Sequence, residues 1–140
     1  MSLIVTKDIR NAFIARLQEE FTEAEAKVES FPINPKNYLF SHPKMTVLVR
    51  VADKSFGRPE MSGQSSVNIR FELTICFRGT QTQDEIDDGR DRILMSLTGF
   101  YPDEQYERPY CVSDNILEYA LDHFIFKQTY EMNTLYFLGY

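Results

Sequence analysis

The stretch that most constrains the fold is SSVNIRFELTICFRG, residues 65–79, because apolar and polar residues alternate along it without a break. Six apolar side chains share one phase: Val67, Ile69, Phe71, Leu73, Ile75 and Phe77. The other phase is mostly polar: Asn68, Arg70, Glu72, Thr74, Cys76 and Arg78. This alternation predicts a strand with one buried face. At about 3.4 Å per residue the strand would extend for about 35 Å, roughly twice the usual length.

Composition limits what a chain built around such a strand can be. The 140 residues are 43% hydrophobic and 26% charged, which favours one compact domain over residues 1–140. A net charge of -6 argues against a general nucleic-acid binder, since phosphate contacts need clustered Lys and Arg. Cys76 and Cys111 form no CxxC motif, so we expect free thiols, no zinc site and no cofactor.

The N-terminal stretch MSLIVTKDIRNAF lacks the apolar region of a signal peptide, because charges appear at Lys7 and Asp8. No apolar run approaches the roughly 20 residues that span a bilayer. We therefore expect a soluble protein that is made in the cytoplasm and has no membrane partner.

Helical patterns flank two long strands. Thr6 is a plausible N-cap for a first helix, whose apolar stripe is Ile9, Phe13, Leu17 and Phe21. A short strand is expected around residues 28–31, before a loop that contains three prolines. The stretch KMTVLVRVADKS then alternates as a second clear strand, with Met45, Val47, Val49 and Val51 in one phase.

The loop SFGRPEMSGQ, residues 55–64, joins the two long strands into a hairpin that we expect to project as an arm. A second helix follows, with Thr82 and Glu85 as a capping box, Gly89 allowing close approach to a sheet, and Gly99 at its end. The aromatic residues after position 110 predict further strands. The fold class is thus α+β: a mainly antiparallel sheet with a long β-hairpin arm and two helices packed on one face.

The acidic run DEIDDGRD is the one cluster in the sequence that suggests a metal-binding site. An EF-hand loop that starts at Asp84 is excluded, because its third and twelfth positions should carry oxygen ligands. These positions are Ile86 and Met95. Carboxylates at a helix start are otherwise typical of dipole stabilisation. The alternative is a small metal-dependent hydrolase that uses Asp84, Asp87 and Asp88, with His123 from further along the chain.

The stretch GFYPDEQYERPY adds four aromatic residues that suit either an interface or closure of the core edge: Phe100, Tyr101, Tyr106 and Tyr110. Both interpretations stay open. The sequence contains no local nucleophile motif and no phosphate-binding loop. We therefore expect a protein that is not an enzyme.

A long two-stranded arm leaves backbone groups unpaired along its edges, which is a liability in a monomer. Closure of a head-to-tail ring would bury these edges between neighbouring subunits. The expected role of the long strand is to reach the next subunit.

The stretch SHPKMTVLVRVADKSFG, residues 41–57, is followed by the long strand ending at Arg78 and by a helix that closes with LTGFYP. The HPK, LVRV and SLTGF segments within this arrangement resemble the small tail protein family of Mu-like phages and prophages. That family lies within the tail-terminator and tail-completion proteins of long-tailed phages. The resemblance extends from about residue 5 to residue 137.

The resemblance implies a structural role without catalytic residues. A homohexameric ring would cap the tail tube, end its polymerisation and contact the tail tube protein and a neck or head-completion protein, with DNA only passing through the channel. The expected locations are the virion tail and, during assembly, the cytoplasm of the bacterial host. The candidate ring contacts are Phe56, Arg58, Glu60, Asn68, Arg70 and Glu72. A protein-interaction adaptor without ring symmetry is the remaining alternative.

Overall fold

The long alternating stretch is the central strand of a five-stranded sheet in the computed structural model, which describes residues 6–58, 64–100, 107–120 and 122–137. The elements follow in the order α1 (Thr6–Glu20), β1 (Lys27–Ser30), a 3-10 turn (Pro35–Asn37), β2 (Met45–Phe56), β3 (Gln64–Arg78), α2 (Gln83–Leu97), β4 (Tyr110–Tyr119) and β5 (His123–Phe137). The strand order across the sheet is β1-β2-β3-β5-β4. Only the short β1–β2 pair is parallel, so the predicted α+β class with a mainly antiparallel sheet is confirmed.

Both helices pack on the same face of this sheet, as predicted. All six apolar residues of β3 belong to one core cluster with the apolar stripes of α1 and α2. Phe13 of α1 stacks on Phe71 with ring centroids 3.9 Å apart, and Gly89 of α2 lies against Phe77. The period-two pattern thus predicted the buried face correctly, residue by residue.

The predicted ends of the helices are largely confirmed. The Thr82 hydroxyl accepts a hydrogen bond from the Glu85 amide at 3.2 Å, and the Thr82 amide donates to the Glu85 carboxylate at 3.0 Å, which completes the capping box. Gly99 follows α2 with φ +80°, a conformation that favours glycine. Thr6, predicted as an N-cap, is instead the first residue of α1, and its hydroxyl accepts a hydrogen bond from Lys54 Nζ at 2.7 Å.

The β2–β3 hairpin is long, but the expectation that its edges are unpaired is wrong for β3. β5 pairs with β3 over the full length of both strands, from Gln64 opposite Phe137 to Arg78 opposite His123. β3 is therefore an internal strand with a partner on each side. The reason is that residues 123–137 supply an equally long strand, so the length of β3 is matched within the chain and does not by itself require a second subunit.

Two edges of the sheet have no strand partner in the described part of the chain. β1 pairs with β2 only from Thr46 to Val49, and within the described residues no strand pairs with Arg50 to Ser55 on the side away from β3. β4 pairs with β5 on one side only and forms the other edge. Within the described residues, β4 is therefore an edge strand along its whole length.

Residues 31–44 cross part of the sheet face opposite the helices. The Tyr38 hydroxyl donates to the Glu29 carboxylate, and Arg78 Nη1 donates to the Phe40 carbonyl oxygen at 2.6 Å. Cys76 is buried on this face, and burial raises the pKa of its thiol to about 11. Within the described residues, neither helix is long and apolar enough to cross a membrane.

Candidate functional site

The tip of the β2–β3 hairpin carries two of the predicted contact residues, Phe56 and Arg58, which are both exposed. Backbone and side-chain bonds fix the chain between them. The Gly57 amide donates to the Ser66 carbonyl oxygen at 2.7 Å, and the buried Ser65 hydroxyl donates to the Gly57 carbonyl oxygen at 2.5 Å. The tip is therefore held in place as far as Arg58, while Glu60 lies outside the described residues.

The other three predicted contact residues form a polar ladder across β3 and its neighbours on the face opposite the helices. Asn68 donates to Asn133 at 2.9 Å, and Arg70 pairs with Glu131 at 3.0 Å. Glu72, the third member, accepts from residues on both neighbouring strands. Each residue thus has a partner within its own chain.

Glu72 is the most enclosed member of the ladder, with 12% of its side chain exposed. Lys127 Nζ of β5 lies 2.7 Å from one carboxylate oxygen, and Arg50 of β2 lies 3.4 Å from the other. Burial acts to raise the pKa of Glu72, but Lys127 and Arg50 outweigh burial and hold that pKa below its usual value. The Glu72 carboxylate therefore links β2, β3 and β5 on the face of the sheet opposite the helices.

The structure separates the predicted contact residues into two groups. Directly opposed residues of an antiparallel pair point to the same side, and Phe56 is opposite Val67 of the core face. Phe56 therefore points to the helix side of the sheet. Asn68 and Arg70 belong to the opposite phase, so the expected contacts do not form a single patch.

The edge strand β4 forms another exposed surface, an apolar one, which was not predicted from the sequence. Five large hydrophobic residues on β4 have exposed fractions from 36% to 71%: Tyr110, Val112, Ile116, Leu117 and Tyr119. Val112 and Leu117 occupy the two places where the β4–β5 register shifts, so each is an extra residue without a partner on β5. Such bulges re-aim side chains, and here they direct apolar ones towards solvent.

The sequence of β4 lacks one common form of edge protection. The β4 sequence YCVSDNILEY contains no Lys, Arg or Pro, the residues that commonly protect an edge strand from pairing. An open groove of about 410 Å³ borders the strand on the face opposite the helices, between Leu117 and the polar ladder at Glu72. The apolar edge and the polar ladder thus adjoin.

The aromatic residues of the stretch GFYPDEQYERPY were expected either to close the core edge or to form an interface, and the structure shows a different position for each of two of them. Phe100 packs edge-on against Phe13, with ring centroids 5.9 Å apart, and so closes the core. Tyr110 lies on the exposed side and donates to Glu131 at 3.2 Å. Tyr101 and Tyr106 lie outside the described residues.

The acidic run does not assemble with His123. Glu85 caps α2, while Asp87 accepts from Gln83 at 3.1 Å within the same helix. His123 is opposite Arg78 in the phase that faces away from the helices, and it contacts Asp122 at 2.9 Å. Among the described residues, no group of three His, Cys, Asp or Glu side chains is placed to hold a metal ion.

Most of the chain is similar to a family of known proteins. A protein-family model described as Gp37 protein matches residues 13–136. This match includes every helix and strand except the first turns of α1 and the last residue of β5. No curated protein matches the sequence.

Proposed function

Because the chain belongs to the Gp37 protein family, whose name associates it with bacteriophages, we propose that it is a structural subunit of a phage tail. In this proposal six copies form a ring that caps the tail tube and ends its polymerisation. The ring also joins the tube to a neck or head-completion protein. The protein acts in the virion tail after assembly in the bacterial cytoplasm, and it is not an enzyme.

The observation that carries the proposal is the open sheet. An edge strand with exposed apolar side chains invites pairing with another chain, and soluble proteins usually protect such an edge. β4 leaves five large hydrophobic residues exposed. This arrangement suits a subunit whose edge is covered in an assembly better than it suits an isolated monomer.

Charge supports the same role. The net charge of -6 is repeated in every subunit, so a ring of six would carry a large negative total. A channel with a negative field repels the phosphate backbone, and DNA can then pass without being retained. The protein would surround DNA without binding it.

A tube-capping assay tests the proposal. The tail tube protein of the same phage is polymerised with and without this protein, and tube lengths are measured by negative-stain electron microscopy. We expect shorter tubes with extra density at one end and sixfold symmetry in end-on averages. Tubes of unchanged length without end density would contradict the proposal.

Two variants with the same chemical change make the assay specific to β4. Leu117→Lys places a charge on the edge strand, whereas Met95→Lys places it on the outer side of α2, where Met95 is 78% exposed. We expect Met95→Lys to cap tubes normally and Leu117→Lys to fail. Equal capping by both variants would show that capping does not depend on the β4 edge.

A further inference from the structure

His42 lies where the segment after β1 enters β2, and backbone groups engage both nitrogens of its ring. The amides of Lys44 and Met45 donate to Nδ1 at 3.0 Å and 3.2 Å, and Nε2 lies 2.7 Å from the carbonyl oxygen of Glu23. An amide can only donate, so Nδ1 must be free of a proton, and a carbonyl oxygen can only accept, so Nε2 must carry one. This arrangement therefore selects the neutral form of His42 and one of its two tautomers.

Protonation of the His42 ring would break this arrangement on one side. A proton on Nδ1 would turn that nitrogen into a donor that faces two other donors, so both hydrogen bonds to the start of β2 would be lost. The bond from Nε2 to the turn after α1 would remain. Histidine ordinarily gains this proton in mildly acidic solution, so the two bonds depend on pH.

His42 fixes one end of residues 31–44, which we call the strap. The strap crosses part of the sheet face opposite the helices, where the Phe40 carbonyl oxygen accepts a hydrogen bond from the end of β3 at 2.6 Å. Tyr38 of the strap lies close enough to the buried Cys76 for the two groups to interact electrostatically. The strap thus lies close to a buried thiol and is attached to the sheet by individual hydrogen bonds.

The charged groups around His42 are of both signs. Glu23 and Lys27 line the same cavity of about 590 Å³ between α1, β1 and the strap, and Lys44 lies two residues further along the chain. Glu25 of the same turn is engaged by α2 at 2.8 Å. Because these charges partly offset one another, the hydrogen bonds at Nδ1 decide which form of His42 the closed strap accepts.

We propose that His42 is a pH-sensitive lock on the strap: the neutral ring holds the strap against the sheet, and protonation releases the strap next to β2. The closed strap disfavours a proton at Nδ1, whereas the open strap leaves that nitrogen free to bind one. The open form therefore binds more protons, so a fall in pH shifts the equilibrium towards it. Mildly acidic solution then gives solvent access to Cys76. This property is independent of the proposed function, because it belongs to a single subunit.

Amide hydrogen exchange measured by NMR between about pH 5 and about pH 8 tests the lock. Each rate is compared with that of an unstructured peptide at the same pH, which removes the intrinsic pH dependence and gives a protection factor. From high to low pH the protection of the Lys44 and Met45 amides should fall about tenfold, while that of Leu73 in β3 stays constant. His42→Asn keeps a side-chain oxygen for the Lys44 amide but does not titrate, so its protection should not change with pH. His123→Gln, which removes the other histidine, should behave as the wild type does.

The reactivity of the Cys76 thiol is a second readout, measured in a Cys111→Ser background so that one thiol is present. Its rate of reaction with dithiodipyridine is compared between the protein with His42 and the His42→Asn variant at the same pH, so that the pH dependence of the thiol itself cancels. The ratio of the two rates should rise from about one at about pH 8 to about ten at about pH 5.

Several results would overturn the inference. Constant protection of Lys44 and Met45 in the wild type would do so, as would an equal fall in His42→Asn. A fall that His123→Gln abolishes would assign the pH dependence to the other histidine. Parallel loss of protection at Leu73 would show global unfolding in place of a released strap, and a rate ratio that stays near one would show that the strap does not open.

Discussion

Gly89 in α2 lies directly against the ring of Phe77 in β3: a β-carbon at position 89 would approach Phe77 Cε1 to 2.8 Å. The Phe77 ring is buried and also meets Phe126 edge-on, with ring centroids 5.7 Å apart. The ring is thus confined on more than one side. This contact sets how closely α2 can approach the sheet.

We predict that Gly89→Ala destabilises the protein. Helix propensity alone favours alanine by about 1 kcal/mol, but overpacking a buried contact costs about 1–3 kcal/mol. We expect a net loss of about 1 kcal/mol in the free energy of unfolding, measured by urea denaturation. In a Phe77→Leu background the same substitution should cost less, and an equal cost in both backgrounds would contradict the contact.

The second prediction concerns pH. The hydrogen bond from Arg92 lowers the pKa of Glu25 from 4.5 to about 2, with a distance of 2.8 Å between Arg92 Nη1 and the carboxylate. Because the folded-state pKa is depressed, this stabilisation is complete above pH 4.5 and is lost as the pH falls towards 2. Both side chains are about one third exposed, so solvent screening limits the effect to about 1 kcal/mol.

Arg92→Gln should therefore lower stability at neutral pH and reduce the loss of stability between about pH 5 and about pH 2. Urea denaturation at several pH values measures both effects. Lys27→Gln, which removes a looser pair with Glu29 at 3.7 Å, serves as a control and should leave the pH dependence nearly unchanged. A pH profile of Arg92→Gln parallel to that of the wild type would contradict this assignment.

Third, we predict that Thr82→Ala lowers the free energy of unfolding by about 1 kcal/mol, because it removes the hydroxyl that accepts from the Glu85 amide. Thr82→Ser keeps an oxygen at that position and should cost much less. Thermal denaturation of the two variants provides the comparison. Equal losses would indicate that the methyl group of Thr82, and not its hydroxyl, is responsible.

Fourth, we predict that Glu72→Ala destabilises the protein more than Arg50→Ala does. Loss of the Glu72 carboxylate leaves Lys127 and Arg50 close together without a shared anion, whereas loss of Arg50 leaves the 2.7 Å pair of Glu72 with Lys127. The difference should be about 1 kcal/mol in urea denaturation. A larger effect of Arg50→Ala would show that the carboxylate is not the centre of the ladder.

The last prediction tests the metal-dependent hydrolase that the acidic run suggested. A metal ion that binds the folded protein selectively raises its melting temperature. We expect no rise with magnesium, manganese or calcium at millimolar concentration, measured by differential scanning fluorimetry. A clear rise that Asp84→Asn/Asp88→Asn abolishes would restore the hydrolase alternative.

The sequence predicted best the parts of the fold that depend on local chemistry. The alternation of β3 identified its buried face, and Thr82, Glu85 and Gly99 identified both ends of α2. Gly89 was correctly interpreted as a position of close approach. In each case a single physical rule acts within a few residues of the chain.

The sequence did not predict the features that depend on distant pairing. The second partner of β3, besides β2, is β5. The alternation of apolar and polar residues along β5 is less regular, because Ile125 is buried on the face opposite the helices. The bulges at Ala52, Val112 and Leu117 exist only relative to a neighbouring strand, so no local pattern marks them. The open β4 edge was missed for the same reason, since an edge is defined by the order of strands.

The pairing of β3 with β5 has a consequence for folding during synthesis. Ribosomes add residues from the N-terminus, so α1, the β2–β3 hairpin and α2 emerge before the strand at residues 123–137. Until then one side of β3 has no final partner, and its closure depends on a contact between residues far apart in the chain. Such non-local pairing slows folding and prolongs exposure to aggregation. We therefore expect nascent chains stopped before residue 123 to need chaperone protection.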